Sequence, residues 1–317
     1  NSELKHKITK AAEEHMPKDA IFGSNTSTIP ITSLAEASSR PENFIGVHFF
    51  SPVEKMMLVE LIVGEKTGGR AISMCLDFVA KIKKTPIVVA DTRGFYANRC
   101  VMRYIEQGMY MLTEGVKPAL IENAAKMAGM PVGPLSLQDE VAIDLGYKVL
   151  QQTKKDLGDA FEDTPNAEVI EKMYELGRYG RKNQKGFYVY TDEGKSLWDE
   201  LDQFAPNGKL LEEQPTVDEL KDRILYAQAL EAARTMEEEI VADPREADVG
   251  SILAWGFAPY TGGVLSFIDT IGAKAFVDRA DALKAKYGAP FEVPALLRDM
   301  ASKGETFYGR FAPAKAA

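Results

Sequence analysis

Over the first ninety residues the apolar positions change period every few residues, marking an alternation of helices and strands. Leu4, Ile8, Ala11 and Ala12 recur at helical spacing among Lys and Glu, predicting an amphipathic helix over Glu3 to Met16 with Asn1 or Ser2 as N-cap. Short apolar runs predict strands at Ala20 to Ser24, Asn43 to Phe50, Met57 to Val63 and Pro86 to Ala90, with helices at Ile31 to Ser38 and Arg70 to Lys83 between them. Strands of that length separated by helices imply a mostly parallel sheet with covered faces. From Gly94 the pattern becomes helical, broken by Pro118, Pro131, Pro134, Gly177, Gly180 and Gly186. Met102, Ile105, Met109 and Leu112 form the apolar stripe of a core helix.

The helical part contains a weak repeat. Gly129 to Asp139 matches the latter half of Trp255 to Asp269, and a long helix precedes each copy, at Arg99 to Glu114 and Leu220 to Ile240. Self-similarity of this kind predicts two copies of one helical domain packed as an internal pseudo-dimer. Gly186 to Tyr190 and the polar stretch to about Pro215 read as a loop-rich linker, and Phe307, Tyr308 and Gly309 echo it after the second copy. The predicted domains are 1–92, 93–192, and 193–317 with the linker included.

Composition narrows the class. A net charge of -9 argues against nucleic acid, which needs clustered Lys and Arg. No run approaches the roughly 18 apolar residues of a membrane span, and no signal-peptide pattern opens the chain, so a cytoplasmic or organelle-matrix protein is expected. Cys75 and Cys100 fall in predicted helix interiors, which favours buried thiols over a disulfide or a metal site. The first residue is not Met, and the sequence reads as one entered in the middle.

Chemistry concentrates in a few positions. His48, one of three histidines, ends one strand, and Glu60 lies in the next. An imidazole with one nitrogen held by a carboxylate has a fixed tautomer and suits proton removal from an alcohol near neutral pH. That makes His48 a candidate general base and Glu60 its orienter. His6 and His15, on the first helix, read as solvated, as does the basic run Arg178 to Lys185, although attraction of a ligand's phosphates is an alternative use for that run. A dinucleotide fold ordinarily carries a G-x-G-x-x-G turn after its first strand, and these 317 residues contain none. Only the C-terminal half of such a sheet is therefore expected.

Four segments in order, Ser24 to Thr28, His48 to Pro52, Leu58 to Glu60 and Asp91 to Arg99, together with Gly177 to Tyr188, resemble the 3-hydroxyacyl-CoA dehydrogenase family over nearly the whole chain. The repeat resembles the multifunctional fatty-acid oxidation members, which carry two helical domains in tandem. The resemblance implies an α/β region followed by an all-α one: half of a Rossmann-like sheet, then two helical dehydrogenase C-terminal domains. It implies NAD as cofactor, an acyl-CoA substrate, an enoyl-CoA hydratase region preceding this one, and a thiolase subunit as partner. It makes His48 the base for the 3-hydroxyl and Glu60 its partner, with Ser27 and Asn98 contacting the substrate oxygen or the nicotinamide. Ser24 and Asn25 would shape the turn. For Ser27 a turn or helix cap competes, and for Asn98 a helix cap. The alternative to an active dehydrogenase is an inactive C-terminal piece serving as an assembly or binding module. The strand Ala20 to Ser24 is then expected to leave an open edge, with self-association, an added chain or local disorder before about residue 45.

Overall fold

The computed structural model describes residues 2–27 and 29–312, with Asp156 described by its backbone alone. The expected cap Asn1 lies outside the described residues, and Ser2 is itself the first helical residue. In chain order the elements are α1 (Ser2–Glu13), β1 (Phe22–Ser24), α2 (Ile31–Ala35), β2 (Phe44–Phe49), β3 (Leu58–Val63), α3 (Gly69–Lys81) and β4 (Thr85–Ala90). The helical part follows with α4 (Ala97–Thr113), α5 (Pro118–Met127), α6 (Pro134–Val141), α7 (Ile143–Leu157) and α8 (Pro165–Glu175). After the hairpin β5 (Tyr188–Thr191) and β6 (Gly194–Leu197) come α9 (Val217–Glu237), α10 (Pro244–Trp255), α11 (Val264–Ile271), α12 (Ala273–Tyr287), α13 (Ala295–Lys303) and α14 (Phe307–Arg310). Two compact units result, Asn1–Val101 with Ala229–Ala317, and Met102–Gln228.

In the first unit the sheet order is β1-β2-β3-β4, with β1/β2 and β3/β4 parallel and β2/β3 antiparallel. The connection between Phe49 and Leu58 is too short for the crossover a parallel pair requires, so these two strands run in opposite directions. Side chains alternate across the sheet. Ile45 and Val47 of β2 and Val59 and Leu61 of β3 point to one face, where α3 lays Ala71, Cys75 and Val79 at four-residue spacing. Each Val, Leu or Ile side chain among them contributes about 1.5–3 kcal/mol on burial. Gly46, His48, Glu60 and Ile62 share the opposite face, toward α2. A Cβ on Gly46 would lie 2.8 Å from Ile31 and 2.7 Å from Ile62, so glycine is what lets α2 approach. The carboxylate of Asp91, just past β4, accepts the Ile31 and Thr32 N–H groups at 2.9 and 2.7 Å and so satisfies the first turn of α2.

Four expectations are corrected here. Helix α1 forms, but Leu4 and Ile8 are 56% and 54% exposed. The helix docks through its polar side: Thr9 is buried, the Glu13 carboxylate accepts the Ser39 N–H and both serine hydroxyls, and His6 Nε2 donates to the Ser33 carbonyl. The segment after α2 offers serine hydroxyls and carbonyls, and the polar side of α1 satisfies them; His6 is thus half-buried rather than solvated, while His15 is exposed. The predicted linker from Gly186 is likewise ordered, as the β5/β6 hairpin and short turns. Arg178, expected in a solvated loop, is buried: its guanidinium donates to the Gly186 and Tyr188 carbonyls and stacks 3.9 Å over Trp198.

The repeat is built into both units by the same device. In the second unit Glu122 of α5 accepts the Leu135 and Ser136 N–H groups at the start of α6 and the Tyr188 hydroxyl, while Asp139 of α6 accepts the Phe187 and Tyr188 N–H groups. In the first unit Asp248 of α10 accepts the Leu265 and Ser266 N–H groups at the start of α11 and the Tyr308 hydroxyl, while Asp269 of α11 accepts the Phe307 and Tyr308 N–H groups. Gly133 and Gly263 precede the capped helices because a Cβ at either would fall within 2.5 Å of the capping carboxylate. Cys75 and Cys100 are both buried, and neither forms a disulfide. Among the described residues no helix is long and apolar enough to cross a membrane, and no group of three or more potential ligands could hold a metal ion.

Candidate active site

The register of the antiparallel pair sets His48 directly opposite Glu60. Their side chains therefore emerge on the same face, and Nδ1 of His48 lies 2.7 Å from Oε2 of Glu60. A carboxylate can only accept, so Nδ1 carries the proton and donates it, leaving the Nε2 lone pair as the outward-facing acceptor. Glu60 is wholly buried and His48 is 4% exposed. A carboxylate so placed needs further donors, and the N–H of Ala97 supplies one to Oε1 at 2.8 Å. That N–H belongs to the first residue of α4, where the helix dipole also favours negative charge. The imidazole is flanked by Phe50 and Phe95, with ring centroids 4.6 and 5.8 Å away. Hydrocarbon walls exclude water and strengthen the charge interactions between them.

The loop after β1 joins the same region. Asn25 accepts the N–H of Phe49, the residue after His48, at 3.0 Å, and Thr26 accepts the N–H of Ile29 at 3.2 Å. Asn25 thus fixes the end of β2, and Thr26 holds the turn. Asn98 Nδ2 donates to the Ser27 carbonyl at 2.8 Å. Of the four residues singled out from sequence, His48 meets Glu60 side chain to side chain, and Asn98 meets Ser27 through the backbone of the latter. Ser27 is exposed. Phe50, Phe95 and the Ala97 N–H were missed from sequence. An aromatic beside a histidine and a backbone N–H carry no mark of function; Ala97 follows the notable Asp91 to Arg99 segment but contributes nothing from its side chain.

Residues 1–92 match the 3-hydroxyacyl-CoA dehydrogenase NAD binding domain, and residues 94–190 match the C-terminal domain of the same family. The chain is 35% identical to a crystal structure of (S)-3-hydroxybutyryl-CoA dehydrogenase from Ralstonia eutropha, with a TM-score of 0.54, covering 61% of this chain and 68% of that one. The chain belongs to the 3-hydroxyacyl-CoA dehydrogenase family. A 3-hydroxybutyryl-CoA dehydrogenase structure from Escherichia coli, at 21% identity, shows the same fold with a TM-score of 0.79 over 96% of this chain and 80% of that one. Among curated relatives, the fatty acid oxidation complex subunit alpha of Shewanella halifaxensis is 43% identical over 309 residues. That alignment covers 96% of this chain and 43% of the relative, so the chain spans under half the length of that relative.

NAD is the cofactor of the family's N-terminal domain. The loop after β1 stands at the carboxyl end of a parallel strand, where α/β sheets bind ligands. It offers exposed Ser27, and half-buried Asn98 retains an amide oxygen and a second N–H beyond its bond to Ser27. The Gly-rich turn that would meet the pyrophosphate is not among these 317 residues.

Proposed function

We propose that this chain carries the catalytic centre for oxidation of L-3-hydroxyacyl-CoA to 3-ketoacyl-CoA in fatty-acid β-oxidation. The observation that carries the reading is the buried His48–Glu60 pair, with Nδ1 committed to the carboxylate and Nε2 left to accept. NAD, when bound, supplies the acceptor for the hydride leaving C3. His48 takes the 3-hydroxyl proton at Nε2, and Glu60 stabilises the imidazolium that forms; in the reverse direction the imidazolium returns the proton to the ketone oxygen. Ser27 and Asn98 are the groups that would hold the substrate oxygen and the carboxamide of the nicotinamide, fixing the angle of approach. Phe50 and Phe95 keep water from the imidazole. The proposed domains are 1–92, 93–192 and 193–317. The proposed setting is a cytoplasmic or matrix enzyme with a hydratase region in the same polypeptide and a thiolase subunit as partner.

A second reading takes the chain by itself as an assembly or binding module. Calorimetric titration with NADH, run beside acetoacetyl-CoA reduction followed at the NADH absorbance, separates the two. Binding and turnover, with turnover lost in His48→Gln, support the enzyme. Silence in both, persisting when a complete cofactor domain is supplied on the same polypeptide, supports the module.

A further inference from the structure

Four consecutive residues lead into and open α4, and each makes a different contact. Phe95, held at a φ of 52°, sets its ring beside His48. Tyr96 donates its hydroxyl to the Ala247 carbonyl of α10 at 2.7 Å. The Ala97 N–H donates to Glu60, and Asn98 donates to Ser27. The backbone that serves the His48–Glu60 pair is therefore anchored on its far side by the second helical copy. The anchor is close-fitting. Tyr96 is wholly buried, its ring meets Trp255 edge-on at 5.7 Å, and Glu246 of α10 accepts the Val88 N–H of β4 at 3.1 Å. A Cβ on Gly250 would sit 3.0 Å from the Tyr96 ring and 2.9 Å from Ile87. Counting from the helix-opening proline and the capping carboxylate, Pro118 and Glu122 in one copy and Pro244 and Asp248 in the other, the position equivalent to Gly250 is Ala124. The second copy has a glycine where Tyr96 presses against it.

We propose that Tyr96 is a positioning residue for the His48–Glu60 pair, and that α10 of the second helical copy is the brace that holds it. The second copy then acts on the chemistry at a distance, with no active site of its own. In a phenol-to-helix anchor of this kind the hydroxyl fixes where the Tyr96 backbone lies, and the next residue's N–H sets the place and orientation of the Glu60 carboxylate. Loosening the anchor lets that carboxylate drift from Nδ1, which costs alignment of the base.

This inference rests on the catalytic reading above, and its test reads His48 directly. In the 317-residue chain, the exchange of the His48 Nδ1 proton with water is followed by proton–nitrogen NMR in wild type, Tyr96→Phe and Gly250→Ala. Val79→Ala, which truncates the α3 side of the sheet, is the control, compared at a matched fraction of the thermal midpoint. Exchange is expected to quicken about tenfold in both test variants and to stay within about twofold of wild type in the control. In the polypeptide with a complete cofactor domain, kcat is expected to fall about ten- to a hundredfold in Tyr96→Phe with KM little changed. Unchanged exchange in both test variants, or equal quickening in Val79→Ala, overturns the brace. If wild type reduces no acetoacetyl-CoA while the exchange pattern is as expected, the catalytic reading fails and the brace stands.

Discussion

The two helical copies share one skeleton and differ in what surrounds it. In each, one buried carboxylate closes the start of a helix and a second holds a returning Phe-Tyr backbone, with the tyrosine hydroxyl closing back on the first. The first copy is elaborated around that skeleton. The Tyr190 hydroxyl adds a third donor to Asp139, Arg178 locks the hairpin carbonyls, and Lys195 reaches Ser136 Oγ. The second copy has Phe307–Arg310 in place of the hairpin and instead applies α10 to the sheet through Glu246, Ala247 and Gly250. Fold, on this comparison, resides in the capping carboxylates, and role resides in the face each copy presents.

The sharpest way to break the comparison is to remove the two equivalent caps. Glu122→Gln and Asp248→Asn each put an amide donor against backbone donors, and each is expected to destabilise by about 3 kcal/mol in denaturant melts. Asp248→Asn should in addition slow turnover, through α10, by more than its loss of stability explains. Equal turnover in the two variants, after correction for the folded fraction, would erase the proposed division of roles.

Titration distinguishes the copies next. Burial, outweighing the Tyr188, Phe187 and Tyr190 donors, raises the Asp139 carboxyl from its ordinary 3.8 to about 6; burial raises Asp269 as well. A raised acid keeps its proton longer folded than unfolded, so the unfolded chain ionises first as pH climbs from about 4 to about 6. Stability is thus fullest below pH 4 and declines across that window, by about 2–3 kcal/mol for Asp139. Unfolding free energies of wild type and Asp139→Asn, measured from pH 4 to 7, should converge as pH rises. A gap that widens over that range would contradict the assignment.

Backbone strain offers a finer contrast. The joint between α6 and α7 is Ala142 at φ 78°, whereas the joint between α11 and α12 is Gly272 at φ 90°. Ala142→Gly should stabilise by about 1 kcal/mol and Gly272→Ala should destabilise by about 1–2 kcal/mol, read as opposite shifts in thermal midpoint. Shifts of the same sign would mean that the two joints are not equivalent. Smallest of all, Tyr190→Phe should cost about 1 kcal/mol, since it removes one hydrogen bond that the second copy never had.

Much of this was legible from residue order alone. The strand and helix periods placed β2, β3 and α3 to within a residue or two, because alternation and four-residue spacing report directly on which face is buried. The repeat showed through the match of Gly133 to Asp139 with Gly263 to Asp269, whose glycines turn out to clear the capping carboxylates and whose acids hold the returning Phe-Tyr backbone. What escaped was whatever depends on backbone groups. The partners of Glu122 and Asp139 are N–H groups that any sequence offers, and the Ala97 N–H beside Glu60 is equally silent. The docking of α1 through Thr9 and Glu13 escaped for a related reason, since an apolar stripe does not reveal that its surroundings are serine hydroxyls and carbonyls. Arg178 looked solvated because the carbonyls it serves lie on a hairpin that a Gly-rich sequence disguises.

The most direct test of the central claim is a crystal structure of the polypeptide bearing these residues with a complete cofactor domain, bound to NAD and acetoacetyl-CoA. The ketone oxygen is expected within about 3.2 Å of His48 Nε2, directly or through one water, with Nδ1 still on Glu60. An oxygen held by other side chains and out of reach of His48 would show that the pair is structural and that the base lies elsewhere.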